Sequence, residues 1–577
     1  MAPRSKICHS CTMTEAISYQ TKRIDHFGII AGVCNHIGLA NLINSHVTGG
    51  KERKVTCGQA VKAMILNALG LSSRPLYLMS EAMGNKPVDI LIGEGLKAED
   101  FNDDTLGRAL DDLHRTGITG LFHLIAQQAI ETYGIDSSEL HTDTTTFSLQ
   151  GKYKPKELDE TTENGEPQAE TETGDEENRE AAVVHVTHGY SKDHRHDLKQ
   201  VVVTLITTER SNLPMWLEVL DGNSSDKKTF PQTVEAYCKQ LSDADEPKTF
   251  VMDSAWYSAN NLRECPKKVF WISRVPETIT QAKSALNVAQ DEMRIGKDGY
   301  RFYETNSDYG GVSQRWLVVF SPEGYEREKV TFMKRVNKIE QKVIKEWKKV
   351  QKQRFSCEKD AIRAVELFNS NQHFHQIEAI AAPIRKHLTS GRPPKSVEPP
   401  IVGYRLEGTI VADELAIEEA CQTKGRFIVA TNQLDRSQLT CEALLATYKA
   451  QGSSVERGFR FLKDPMFFAD SLFVKKPERI MALIMIMGLS LLIYALAERE
   501  LRQQLQVQDE TIPNQGGKPT KRVTMRRVAQ IFEGVDLLVI SVNGQTLERH
   551  ILNLSELRIK ILKLFNPEVQ KCYIFPD

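Results

Sequence analysis

The stretch Glu139–Leu149, ELHTDTTTFSL, constrains the fold of this 577-residue chain more than any other. Its β-branched and aromatic residues favour a pleated, half-buried backbone, and the two-residue period puts His141, Asp143, Thr145, Phe147 and Leu149 on one face. A carboxylate, Asp143, stands in the middle of that face. Buried acids are rare unless paired, so Asp143 either ligates a divalent metal or sits on an edge strand facing water. This stretch alone leaves both readings open.

Further strands follow. VVHVTHGY (183–190) and QVVVTLITT (200–208) read as two strands joined by the polar turn SKDHRHD (191–197). A further strand at Met215–Leu220 precedes a helix from about Thr229 to Leu241. KTFVMDS (248–254) is continuously apolar, as expected of a parallel strand covered on both faces. It ends in Asp253, at the carboxyl end where ligands collect in α/β sheets. VFWISRV (269–275) adds another strand. An acid inside the first strand and another ending the strand after the helix is the RNase H-like arrangement, in which those two strands lie side by side. Asp143 and Asp253 would then be one ladder step apart and able to share a divalent ion. The expected fold class is α/β: an RNase H-like mixed-sheet core interrupted by a β-rich insertion and preceded by an all-α N-terminal domain.

That N-terminal domain is residues 1–135. Val61, Met64, Ile65, Ala68 and Leu69 keep helical spacing up to Gly70, and Leu106, Ala109, Leu110 and Leu113 repeat it behind Asp103 or Asp104 as N-cap. The core begins at 136–275 and contains an acidic tract. Between Lys152 and Glu180, 11 acids face 4 bases, so 152–182 is expected to be a solvated, mobile loop. Residues 276–435 form the insertion, 436–500 the last core helices, and 501–577 a C-terminal region. Within the insertion, Phe332–Gln353 is amphipathic. Phe332, Val336, Ile339, Val343, Trp347 and Val350 make one stripe, and Lys334, Lys338, Lys342, Lys345, Lys349 and Lys352 another. One sign repeated over five turns is poorly explained by i,i+4 pairing and suits a phosphate backbone.

Other features exclude alternatives. Ile480–Ala497 has about the minimum length of a membrane span, but it is solitary and its flanks, KKPER and ERELR, lack aromatic belts, so it reads as a buried core helix. The N-terminus has no apolar core of the signal-peptide type. Ten cysteines without a repeating pattern suit reduced thiols, and a cytoplasmic location is expected. Cys8 and Cys11 form a single CxxC that Cys34 and His36 complete only weakly as a zinc site. Trp256, Trp271 and Trp316 read as core residues, with base stacking as the alternative.

A third acid, Glu456, lies in SSVERGFRFLK, where Val455, Phe459 and Leu462 form a buried edge and Glu456, Arg460 and Lys463 share another face. It is either a third ligand or the N3 residue of a capping box opened by Ser453. Several stretches together resemble the bacterial insertion-sequence transposases with a DDE catalytic triad, in the group whose RNase H-like core carries a β-rich insertion. They are HTDTTTF around Asp143, HGYSKDHRHDLKQ, VMDSAWYS around Asp253, GRFIVATN, and the run Tyr448, Glu456, Lys463. The resemblance covers nearly the whole chain. The family spacing Y-x2-R-x3-E-x6-K holds from Glu456 to Lys463. Tyr448 lies one residue too far away and Gly452 takes the Arg position, leaving Gln451, Arg457 or Arg460 to substitute.

The resemblance implies a Mg²⁺-dependent DNA transposase, with Mn²⁺ as the alternative ion and two ions per site, held by Asp143, Asp253 and Glu456. It implies that Lys463 touches DNA backbone near the scissile phosphate, with Arg460, Arg457 and Tyr448 beside it; the Lys338, Lys342, Lys345 and Lys349 stripe would meet DNA elsewhere. Its partners would be the terminal inverted repeats of an insertion sequence, bound through the N-terminal domain, and target DNA. The reaction would be cut-and-paste cleavage and strand transfer, with hairpin ends as one route, by a homodimer in a bacterial, nucleoid-associated setting without a membrane partner. Three carboxylates suit this chemistry because two hard cations roughly 3.5–4 Å apart want oxygen ligands. A nuclease on the same fold would cut without joining ends, and a catalytically dead DNA-binding derivative would do neither.

Overall fold

The computed structural model describes residues 17–47, 53–70, 75–150, 153, 183–209, 212–241, 247–387, 398–464, 475–543 and 545–574; within 226–228, 298 and 451–456 it describes the backbone only. The chain divides into two compact units, Met1–Ile272 with Ala446–Asp577, and Ser273–Leu445.

The first unit opens with strand β1 (Ile17–Arg23) and helices α1 (Phe27–His36), α2 (Leu39–His46), α3 (Cys57–Ala68), α4 (Met79–Met83), α5 (Val88–Leu91), α6 (Asp103–Thr116) and α7 (Ile118–Tyr133). The periodic apolar residues are buried as their spacing requires, Val61, Met64, Ile65, Leu106, Leu110 and Leu113 among them. Thr56 and Gln59 form a capping box on α3. Asn102, rather than Asp103 or Asp104, caps α6 and leaves both acids in the first turn, where the helix dipole favours them.

The sheet comes next, as β2 (Glu139–Leu149), β3 (Lys199–Thr208), β4 (Pro214–Leu220), helix α8 (Asp226–Lys239), β5 (Lys248–Met252), α9 (Ala259–Glu264) and β6 (Val269–Arg274). Its order is β4-β3-β2-β5-β6. Strands β2 to β4 form an antiparallel meander, and β5 joins β2 in parallel. This is the expected RNase H-like core. VVHVTHGY, however, is not a strand. Strand β4 occupies the edge of β3 from Val202 onward, so the segment makes only the bridge Thr187 to Gln200. Apart from Tyr153, the acidic tract 152–182 lies outside the described residues.

The second unit holds α10 (Thr280–Leu286), β7 (Arg294–Ile295), β8 (Arg301–Ser307), β9 (Gln314–Phe320), α11 (Pro322–Val350), α12 (Glu358–Asn369), β10 (His375–Arg385), β11 (Ile401–Ala412), α13 (Glu414–Gln422) and β12 (Arg426–Thr431). Strands β12-β9-β8-β7 pair antiparallel in that order. The long β10–β11 hairpin forms its own two-stranded sheet. One face of it is covered by α11 and α12, with Val343, Trp347, Ala361 and Val365 packing on Ile377 and Leu406. Helix α14 (Cys441–Leu462) spans the boundary between the units.

The first unit is completed by α15 (Pro477–Val507), β13 (Ile512–Pro513), β14 (Pro519–Thr520), α16 (Met525–Phe532), β15 (Asp536–Val542), β16 (Gln545–Leu552), α17 (Glu556–Lys563) and α18 (Pro567–Lys571). Among the described residues α15 is the one helix long and apolar enough to cross a membrane, and 83% of its apolar window is buried inside the unit. It serves as the core helix, packing on α1, α3, α6, α7 and β4. A side chain at Gly488 would collide with Leu217 and Phe122, so the missing Cβ sets how closely α15 approaches β4 and α7. Arg479 anchors the start of α15 with a two-pronged bond to Asp111, 2.7 Å on each prong. Strand β1 pairs with β15 in the sheet β1-β15-β16, so the N-terminal region adds one strand to its helices and the C-terminal region is built onto it.

Candidate active site

Asp143 sits in β2 directly opposite Leu205 of β3. On its other side β2 pairs with β5 in the register Glu139 to Thr249, Leu140 to Phe250 and His141 to Val251. Carried on by two residues, that register sets Asp143 beside Asp253, which follows the last residue of β5. Adjacent strands lie about 4.8 Å apart, so both acids stand at neighbouring positions where the parallel pairing ends. The Asp143 side chain is 26% exposed, and its Oδ1 accepts the Thr144 backbone N–H at 2.7 Å. Asp253 is exposed, and its Oδ1 accepts the Ser254 hydroxyl at 3.0 Å. Two half-open carboxylates in register are hard oxygen donors of the kind a divalent cation takes, so the two residues fit such an ion. His141, on the same face and fully buried, has its imidazole pushed down to about 4 by burial and adds no charge here.

Helix α14 brings position 456 to this face of the sheet. A Cβ built on Gly458 would stand 3.1 Å from Leu205 Cδ2 and 3.3 Å from Leu491 Cδ2, while Phe459 and Leu462 are buried. Leu205 and Asp143, directly opposed on antiparallel strands, share a face, so α14 crosses over the side of the sheet that carries Asp143. Glu456 lies in the last third of the helix, well inside it. The capping-box reading of Ser453 and Glu456 is therefore corrected. The helix starts three turns earlier, with Thr440 Oγ1 accepting the Ala443 N–H at 3.2 Å. The Glu456 side chain lies outside the described residues. Among those that are described, no group of three or more His, Cys, Asp or Glu is placed to hold a metal.

Seven residues beyond Glu456, and so on the same flank of the helix, Lys463 Nζ donates to both carboxylate oxygens of Asp193 at 2.7 Å. The neighbouring Lys192 reaches the first acid. Its Nζ is 3.6 Å from Asp143 Oδ1 and donates to the Thr144 carbonyl at 2.7 Å and hydroxyl at 2.6 Å. This contact is open because β5 pairs with β2 only as far as His141, leaving that edge of β2 to the side chain. Sequence reasoning treated SKDHRHD as a polar turn and missed Lys192, Asp193 and Thr144 as site residues. The signal was there, in a lysine and an aspartate adjacent in a stretch already linked to the family.

The remaining candidates separate. Arg460 is exposed and Tyr448 half-buried on α14. Arg457 faces a different flank, where its guanidinium and that of Arg502 are held by the buried carboxylate of Glu498. That ion pair gives Arg457 a structural role. Lys338, Lys342, Lys345 and Lys349 are exposed along α11 of the second unit, opposite its buried Val336, Val343 and Trp347. Trp256, Trp271 and Trp316 are all buried core residues. Of the weak zinc set, Cys8 and Cys11 lie outside the described residues, and Cys34 is buried in α1, where burial pushes its thiol up to about 12.

Comparison with known proteins adds the following. The family described as "Transposase DDE domain" matches residues 135–493, and "Domain of unknown function (DUF4277)" matches residues 19–127. No curated protein matches the chain. Among solved structures, it is similar to the cryo-EM structure of piggyBac transposase synaptic complex with hairpin DNA at 8% identity and a TM-score of 0.36, covering 89% of this chain and 82% of that one.

Proposed function

The chain belongs to the transposase DDE domain family, and from that premise we propose that it binds the terminal inverted repeats of an insertion sequence and carries out metal-dependent cleavage and strand transfer. Asp143, Asp253 and Glu456 are the acids that hold the divalent ions, Mg²⁺ or Mn²⁺. Two such ions, when bound, would activate the attacking water or 3′-hydroxyl and stabilise the leaving oxygen. Asp143 stands in β2, Asp253 directly follows β5 and Glu456 belongs to α14, so the proposed ligands are carried on or beside regular elements, which favours a well-positioned site. Lys463 and Arg460, on the flank of α14 that carries Glu456, bind backbone phosphate beside the reacting bond, and the α11 lysines bind backbone phosphate as well. The transposon ends are joined to target DNA by a cut-and-paste route with hairpin intermediates, by a homodimer acting in the bacterial cytoplasm.

The observation that carries this reading is the shared register of Asp143 and Asp253 on parallel neighbours beneath α14. The test is Asp143→Asn, supplied with its terminal repeats and Mg²⁺. End nicking is expected to fall by at least a thousandfold while repeat binding persists, and undiminished nicking would remove Asp143 from the site. A strand-transfer assay with pre-cut ends separates a transposase from a nuclease that cannot join.

A further inference from the structure

The turn at Ser191–Arg195 holds two opposite charges side by side. Its backbone is pinned. The Ser191 carbonyl accepts the His194 N–H at 3.2 Å, Ser191 Oγ accepts the Arg195 N–H at 3.0 Å, and the Lys192 N–H donates to Thr146 Oγ1 at 3.2 Å. His194 takes the left-handed conformation, φ 58°, that closes the turn. From this fixed base Lys192 extends to Asp143 and Thr144, and Asp193 to Lys463. A cation held by Thr144 thus stands 3.6 Å from the acid proposed to hold a cation, and a carboxylate is bonded to the lysine proposed to hold a phosphate.

We propose that Lys192 and Asp193 are positioning residues of this site, each standing in for one of its ligands. Lys192 holds Asp143 where a divalent cation would, Asp193 holds Lys463 where a backbone phosphate would, and each ligand binds by displacing its stand-in. The inference rests on the roles proposed above for Asp143 and Lys463. Both contacts are suited to exchange. The Lys192 and Lys463 side chains are 32% and 25% exposed, and ion pairs open to water are weak. Lysine is also a point charge on a flexible stem, able to swing aside once its partner is taken. In the meantime the pairs keep Asp143 and Lys463 extended toward the site.

The test uses the full chain and Mn²⁺ alone as the metal probe, at fixed ionic strength. Lys192→Gln is expected to bind Mn²⁺ about tenfold more tightly than the wild type, since it removes a positive charge that competes with the dication for Asp143. Lys192→Arg keeps the charge and should restore the wild-type affinity. Lys192→Met serves if the Gln variant fails to fold. Asp143→Asn should abolish the binding. A second arm measures duplex DNA binding in EDTA. Asp193→Asn should tighten it several-fold, and the gain should vanish in a Lys463→Gln background. Unchanged or weaker Mn²⁺ binding in Lys192→Gln, with Asp143-dependent binding intact, overturns the stand-in role of Lys192 and leaves the metal site standing. An Asp193→Asn gain of equal size with and without Lys463 overturns that of Asp193. Mn²⁺ binding that ignores Asp143→Asn removes the metal-site reading itself.

Discussion

Gly458 of α14 packs closely on Leu205 of β3: a Cβ there would lie 3.1 Å from Leu205 Cδ2, so the leucine would have to give by a few tenths of an ångström. Because Leu205 is the direct cross-strand partner of Asp143, this close approach sets how far the helix bearing Glu456 stands from the first acid. Gly458→Leu should lift the helix, costing about 2–3 kcal/mol by overpacking and lowering end nicking more than tenfold. Gly458→Ala should be nearly neutral in stability, its helix propensity gain of about 1 kcal/mol offsetting the tighter contact. Urea unfolding together with a nicking assay checks both variants.

Glu498 is 4% exposed and takes the guanidiniums of Arg457 and Arg502 and the Met525 N–H at 3.2 Å. Glu498→Ala strands two cations beside a buried gap and should cost about 3–5 kcal/mol. Arg457 is 45% exposed, so Arg457→Ala should cost far less, about 1 kcal/mol. Equal losses in urea unfolding would show that the arginine, not the buried carboxylate, is the keystone.

The α11 lysines make no ion pair among the described residues and face away from the packed stripe of that helix. Replacing Lys338, Lys342, Lys345 and Lys349 together with glutamine should leave stability within about 0.5 kcal/mol. If each meets a phosphate, the slope of log affinity against log salt should fall by about 3–4. An unchanged slope places DNA elsewhere.

Burial pushes the His26 imidazole down to about 4, and its Nε2 lies 2.8 Å from the Leu69 carbonyl, to which it donates. An unfolded histidine titrates near 6.5. Between those values the unfolded chain binds a proton that the folded one refuses, so this contribution is complete above about pH 6.5 and lost progressively as pH falls toward 4. At pH 5 the loss should be on the order of 2 kcal/mol. Urea unfolding at pH 7 and pH 5 should show a correspondingly smaller difference in His26→Gln, and an identical difference would exonerate His26.

Much of the candidate site was legible because it depends on local pattern. A strand with an acid at its centre, a second apolar strand ending in an acid, and a run with Glu456 and Lys463 on one flank are all periodicities, and periodicity is what a chain states about itself. The amphipathic α11 and the buried α15 were read for the same reason. What failed was competition for partners. VVHVTHGY has the composition of a strand, yet β4 had already taken the edge of β3. Ser453 and Glu456 have capping spacing, yet Thr440 starts that helix.

By itself, then, the sequence marked out the candidate acids and the elements that would hold them, since side-chain type and two- or 3.6-residue periods are local properties. Only the tertiary structure decided the pairings: Asp143 opposite Leu205, Gly458 on Leu205, Arg457 turned to Glu498, Lys192 beside the first acid and Asp193 on Lys463. Those depend on register, on close approach at a glycine and on which edge of a strand is left open, and each is settled by the competition of distant segments for the same space.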